Sequence, residues 1–179
     1  LRYVFPYTLD VDGSPATLRN LFPLALNDNR AVLRGDVTLA TGQVLDRRLL
    51  SCAVNPSLVD ENLDGVVDCT GGLSLVGGSA GSVHVNTAIG FSLTNANLLA
   101  GNFGYGAAGV GTAFVLDLAA TNPVPVAVSS LAPAAAGWEV HAITDANQSG
   151  KLVGYGYRDC AALPQAFFLR VAMGLALGE

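Results

Sequence analysis

The strongest candidate for chemistry in this sequence is an acidic segment at residues 60–68, DENLDGVVD. Oxygen-bearing side chains occupy alternate positions and are followed by a glycine. Calcium takes six to eight oxygen ligands, several of them charged, and a glycine lets the chain turn sharply after the third ligand. The spacing therefore predicts a calcium site, with these ligands: Asp60, Asn62, Asp64, the carbonyl of Val66, and Asp68 directly or through water.

The segment resembles the D-x-[DN]-x-D-G calcium loops of EF-hands, dockerins and thrombospondin type 3 repeats. The resemblance covers these few residues only and implies Ca²⁺ as the cofactor. It departs from the EF-hand, because the twelfth position is Gly71 rather than a bidentate glutamate and no helical pattern flanks the loop. We therefore expect a free-standing calcium loop in a β protein. The alternative is a solvated acidic turn.

A second, weaker copy of this pattern is DANQSG, which offers Asp145, Asn147 and Ser149 as ligands. It has no third carboxylate. An Asx-type hairpin turn between two alternating segments, WEVHAIT and KLVGYGY, explains the same residues equally well. Both interpretations stay open at this stage.

The three cysteines, Cys52, Cys69 and Cys160, include no C-x-x-C pair, which argues against zinc binding and thioredoxin-like chemistry. Cys52 and Cys69 flank the acidic segment, and we predict a disulfide between them, as is typical of an oxidising compartment. Pairings with Cys160 remain open. The sequence begins at Leu1 without a signal peptide, and we interpret it as a mature chain with its leader removed. The expected location is extracellular or at the cell surface.

No convincing catalytic set is present. Residues 77–81 fit the G-x-S-x-G pattern around Ser79, and Asp117 and His141 follow in the order used by α/β-hydrolases. A nucleophile elbow must lead into a helix, however, and here an alternating run, SVHVNTAI, follows. We predict that the protein is not an enzyme, and keep a small secreted hydrolase as the second alternative function.

The dominant pattern along the chain is an alternation of apolar and polar residues, which is typical of strands with one buried face. In AVLRGDVTLA, for example, Leu33, Val37 and Leu39 share one face. Residues 1–12 form a possible extended strand or arm, whose Pro6 confines it to a sheet edge. Its large apolar residues are Leu1, Tyr3, Phe5, Tyr7 and Leu9.

These strands and their Gly-rich turns predict an all-β fold, an antiparallel β-sandwich of Greek-key or jelly-roll type. A single domain is expected over residues 1–179. At most one short helix is expected, in PATLRNLF at residues 15–22, where Pro15 suits a first turn.

Charge narrows the choice of partners. The net charge is −5 with nine basic residues in 179, which argues against nucleic acid, and no apolar run suits a transmembrane helix. Charged residues make up 13% of the chain, against about 25% in an average domain. Between Cys69 and Trp138 the only charged residue is Asp117. Either Ser, Thr and Asn cover this stretch, or another chain covers part of it.

Together these features predict a secreted, non-enzymatic structural protein, a calcium-stabilised subunit of a filament or surface assembly of copies of itself. The pattern is similar to that of surface-fibre subunits joined by strand donation, and the strand at residues 1–9 is the expected donor. The alternative for that strand is ordinary pairing in its own sheet. The first alternative function is a calcium-dependent module that binds carbohydrate or a cell surface.

Overall fold

The structure, a computed structural model, describes residues 8–54, 69–85, 91–105, 111–131 and 137–170. These residues form strands joined by turns, together with two single helical turns. Every strand pairing is antiparallel, which confirms the predicted all-β antiparallel fold. In these ranges no helix has the length and apolarity needed to cross a membrane.

The described strands belong to three sheets. Sheet I contains β1 (Thr8–Val11), β2 (Ser14–Leu26), β3 (Arg30–Thr38), β4 (Val44–Val54) and β5 (Cys69–Leu75). Sheet II contains β6 (Ser92–Leu93), β7 (Leu98–Tyr105), β8 (Gly111–Asp117) and β9 (Val126–Ala127). Sheet III contains β10 (Trp138–Ala146), β11 (Lys151–Arg158) and β12 (Gln165–Arg170). The helical turns are α1 (Gly78–Gly81) and α2 (Val128–Leu131).

Each described sheet is a meander, because neighbouring strands are consecutive in the sequence. The strand order therefore differs from the predicted Greek-key or jelly-roll connectivity. The helix predicted at residues 15–22 is wrong, since this segment lies inside β2. In this segment Ala16 and Leu18 are buried, whereas Thr17 and Arg19 are exposed, as expected for a strand. Pairing with β1 on one side and β3 on the other overrides the helix-start signal of Pro15.

Sheet I curls around its own hydrophobic cluster, because its first strand also lies against its last, β5. Leu33 and Val37 are buried in this cluster and Leu39 packs against it, which confirms the predicted face of β3. The opposite face of the same strands is also covered. Val32 and Leu49 belong to a second cluster, shared with sheet II.

Sheet II is buried on both faces. Towards sheet I it presents Leu99, Phe114 and Leu116, and towards sheet III it presents Ala100, Ala113 and Val115. A strand that is buried on both faces has no side for charged residues. This arrangement explains why the central strands of sheet II, β7 and β8, carry no charged residue other than Asp117.

Candidate functional site

The predicted calcium ligands at residues 60–68 lie outside the described residues, and the calcium site stays a prediction. The structure does place the two ends of the connection that carries them. Val54 at the end of β4 is paired with Cys69 at the start of β5, so residues 55–68 join two adjacent antiparallel strands. Among the residues that the structure describes, no group of three His, Cys, Asp or Glu side chains could hold a metal ion.

The cysteines are now better constrained. Cys160 follows β11 as an exposed, free cysteine, which excludes both disulfide pairings that involve it. Cys52 is buried in the cluster of sheet I, at 2% exposure. The strand register places Cys69 opposite Val54, two residues beyond Cys52 on the neighbouring strand. The Cys52–Cys69 disulfide is thus the one remaining pairing within the chain, and it stays a prediction.

The weaker loop, DANQSG, connects β10 to β11 in the described part of the chain. The side-chain oxygen of Asn147 accepts hydrogen bonds from the backbone N–H groups of Ser149 and Lys151, each at 3.0 Å, and from the Ser149 hydroxyl at 2.9 Å. Asp145 accepts one from the Ser92 hydroxyl at 2.9 Å. This is the geometry of the Asx-type turn, because the oxygen that would bind a metal is used by the loop's own donors.

Ser79, the candidate nucleophile, is bonded to an aspartate of another segment. Both its hydroxyl and its N–H donate to Asp12, in the turn between β1 and β2, the latter at 3.1 Å. The side-chain hydrogen bond from Ser79 is the main reason that the pKa of Asp12 is lowered. The helical turn here is only α1, from Gly78 to Gly81, whereas a nucleophile elbow leads into a full helix.

The two other members of the hydrolase pattern have neighbours of their own. Asp117 accepts a hydrogen bond from the N–H of Ala119 at 2.8 Å, and so closes the turn after β8. His141 packs against Tyr155 and Tyr157 of sheet III, with ring centroids 5.5 and 5.9 Å away. Each of the three residues therefore has contacts of its own.

Of the five large apolar residues of the predicted donor strand, only Leu9 is described. It is 5% exposed, lies in the cluster of sheet I and is paired with Ala16 of β2. Leu9 is therefore part of the chain's own core, and residues 8–11 form an ordinary first strand. The other four apolar residues of that segment, Leu1, Tyr3, Phe5 and Tyr7, lie outside the described residues.

Sheet III has one buried face and one face with exposed apolar side chains. Its inward face contributes Ile143 and Leu152 to the third cluster. On its outward face lie five side chains that together form an aromatic face: His141, Val153, Tyr155, Tyr157 and Phe168. Phe168 is 62% exposed and Val153 is 39% exposed, and these two residues are cross-strand partners.

This aromatic face escaped prediction because its residues come from three strands. The available signal was the period-two spacing of Tyr155 and Tyr157 in the segment GYGYR. Alternate residues of a strand share a face, and the two glycines that alternate with the tyrosines, Gly154 and Gly156, face inward. Gly154 has no room for a side chain, because a Cβ atom there would collide with the carbonyl oxygen of Ala142 on β10. The glycines hold the two strands close, and the tyrosines are left on the outer side.

Among the described strands, β12 lies at the edge of sheet III and is paired with β11 alone. An edge strand presents unpaired backbone N–H and C=O groups to a further strand. Phe168 lies in the middle of this edge strand. An exposed apolar side chain and an edge that no other described strand pairs with therefore occupy the same element.

Comparisons of this chain with models of protein families, with curated proteins and with solved structures find no match. The functional proposals therefore depend on the residues of this chain alone.

Proposed function

We propose that this protein is a secreted, non-enzymatic structural subunit whose copies assemble outside the cell through sheet III. The observation that carries the proposal is the exposed Phe168 on the edge strand β12, beside Val153 of the aromatic face. Exposed apolar patches next to an unpaired strand edge are typical of association surfaces. Burial of a phenylalanine side chain contributes roughly 1.5–3 kcal/mol to such a contact, to which main-chain hydrogen bonds along the edge add.

The proposed occupant of this edge is the N-terminal segment of a second copy. Its alternating residues Leu1, Tyr3, Phe5 and Tyr7 precede β1. Strand β1 itself is paired with β2 of its own sheet. An added strand gains main-chain hydrogen bonds along the edge, and its alternate side chains pack on one face. Because donor and acceptor are different surfaces, such a contact is head-to-tail and extends into a filament unless it closes into a ring.

Calcium and a disulfide complete the proposal as stabilising elements of the subunit. The connection between β4 and β5 begins and ends at paired residues, so a metal bound there would tie together a segment that is already closed at its base. In support of the disulfide, Cys160 is the free cysteine among the described residues and Cys52 is not. A bridge to Cys69 across this connection would add roughly 3 kcal/mol in the chain-entropy model.

The test is the oligomeric state of the full chain in calcium-containing buffer, measured by size-exclusion chromatography with light scattering over a range of concentrations. We expect association that grows with concentration and is weakened by Phe168→Ser and by Phe5→Ser. The matched control is Phe22→Ser, which removes another exposed phenylalanine, 45% exposed on β2, and should leave association unchanged. A chain that stays monomeric at every concentration contradicts the proposal.

A second function, glycan binding, is favoured by one observation. Tyr155 and Tyr157 are half-buried on the same side of β11, and both contact His141. Aromatic rings with a polar end combine apolar area for a sugar ring with a hydrogen-bonding group. A glycan array probed with the wild-type chain and with Tyr155→Ala and Tyr157→Ala separates this function from assembly. Glycan signals that depend on the tyrosines, from a monomeric chain, would establish it in place of the structural role.

A further inference from the structure

A polar cavity of about 380 Å³ lies between sheet I and the segment that follows β8. Its size is within the range of small-molecule sites. Polar side chains from separate parts of the chain line it: Asp12, Arg30, Ser51, Ser74, Thr121 and Asn122. None of these lining residues belongs to the aromatic face of sheet III.

Two charged residues line this cavity, Asp12 and Arg30, and the positive charge is that of Arg30 at the start of β3. Its Nε donates to Asn97 Oδ1 at 3.3 Å and its Nη1 to Ser51 Oγ at 3.2 Å. The arginine–carboxylate ion pair found in the described residues, Arg158–Asp159, does not involve it. The guanidinium is half-buried, and its hydrogen-bonding partners are neutral. A buried or half-buried charge is costly unless an opposite charge or several hydrogen bonds stabilise it, and an anionic ligand would do so.

The neutral groups around Arg30 are fixed by the sheet. Ser51 is 4% exposed, and its hydroxyl lies 3.3 Å from the hydroxyl of Ser74 on β5. The Ser74 hydroxyl also bonds to the backbone carbonyl of Ser51 at 3.0 Å. Ser51, which accepts the hydrogen bond from Nη1 of Arg30, is therefore itself fixed by Ser74. A guanidinium with a defined orientation binds a planar carboxylate through two parallel hydrogen bonds.

We propose that this cavity binds a small hydroxylated carboxylate, a sugar acid, with its carboxylate on Arg30 and its hydroxyls towards Thr121 and Asn122. Asp12 also lines the cavity, and its repulsion grows with the negative charge of the ligand, which favours a monoanionic carboxylate over a phosphate dianion. The hydroxyl and amide side chains favour a ligand that is rich in hydroxyl groups.

Isothermal titration calorimetry of the full chain with glucuronate tests the proposal, with glucose and inorganic phosphate as competing probes. We expect saturable binding of glucuronate and weaker binding of both other probes. Arg30→Gln should lower the affinity for glucuronate roughly 10- to 100-fold, because a charge-assisted hydrogen bond is lost. Arg30→Lys should retain part of the affinity. Arg19→Gln, an exposed arginine on β2, is the matched control and should bind like the wild type.

Circular dichroism and thermal unfolding check that each variant is folded. If Arg30→Gln does not fold, Asn122→Ala takes its place, and it should lower the affinity for glucuronate several-fold. The proposal is overturned by the absence of saturable glucuronate binding to the wild type. It is equally overturned by tighter binding of phosphate or glucose, or by unchanged affinity in a folded Arg30→Gln or Asn122→Ala variant.

Discussion

The carboxylate of Asp36 on β3 accepts a hydrogen bond from the backbone N–H of Arg47 on β4, at 2.8 Å. The same carboxylate accepts one from the side-chain amide of Asn20 on β2, at 2.7 Å. Asn20 and Arg47 both have left-handed backbones, with φ of 53° and 50°, where the strand registers shift. One side chain thus fastens irregularities in both neighbouring strands. Such irregularities increase local twist, consistent with the curl of sheet I.

Asp36→Asn should make the stability of the protein less dependent on pH. The N–H of Arg47, followed by the amide of Asn20, lowers the pKa of Asp36 below its ordinary 3.8. A lowered folded-state pKa stabilises the protein above the unfolded-state pKa, and this contribution is lost as the pH falls through the folded-state value. We expect a loss of about 1 kcal/mol or less at neutral pH, given solvent screening, and a smaller loss in acid.

The measurement is urea unfolding of wild type and variant at neutral pH and at a pH below 3.8. Asp10→Asn, an exposed aspartate on β1, tests whether the effect is specific to Asp36. An equal loss of stability at both pH values would show that the variant acts through packing rather than through the charge of Asp36.

Two substitutions at Arg47 should change the free energy of unfolding in opposite directions. Arg47→Gly keeps the backbone N–H that Asp36 accepts and removes the cost of the left-handed conformation, about 1–2 kcal/mol for a residue with a Cβ atom. Part of this gain is lost to the greater freedom of glycine in the unfolded chain. Arg47→Val should destabilise, because a β-branched residue fits a φ of 50° poorly. Chemical unfolding that ranks valine as stable as glycine would contradict this account.

Phe114→Ala should be the most damaging phenylalanine substitution in the described core. Phe114 lies in sheet II and is 0% exposed, and its ring packs edge-on against that of Phe91, with 6.1 Å between the ring centroids. Truncation of a buried phenylalanine costs about 3–5 kcal/mol. Phe168→Ala, on the exposed edge, should change the monomer's stability by no more than about 0.5 kcal/mol. Thermal and chemical unfolding of both variants under dilute conditions give the comparison.

The calcium prediction is tested by the response to a chelator. Calcium at 100 times its dissociation constant stabilises a folded protein by roughly 2.7 kcal/mol. EDTA should therefore lower the melting temperature of the wild type, and Asp60→Ala or Asp64→Ala should abolish this response. Asp145→Ala, in the hairpin turn, should respond to EDTA like the wild type. If EDTA leaves the wild-type melting temperature unchanged, residues 60–68 form an acidic turn.

Local patterns in the sequence predicted the parts of the fold that neighbouring residues decide. The alternation of Leu33, Val37 and Leu39 correctly marked one face of β3. The turn residues after Asp145 correctly marked a hairpin, because Asn147 bonds to donors within four residues of itself. Alternation could not reveal that Val32, on the opposite face of the same strand, would also be buried. That depends on a second sheet, which packs there from a distant part of the chain.

What the sequence determined by itself was the class of secondary structure, since side chains that alternate every two residues need a pleated strand to share a face. Three features were decided only by tertiary structure. Strand pairing made β2 from a segment with a helix-start signal, and the stacking of sheets left sheet II without a solvent-exposed face. The third feature is that Arg30 lines the same cavity as Thr121 and Asn122. The physical reason is the same in each case. Burial and charge neutralisation depend on partners that are far apart along the chain, and no local spacing specifies which segments will meet.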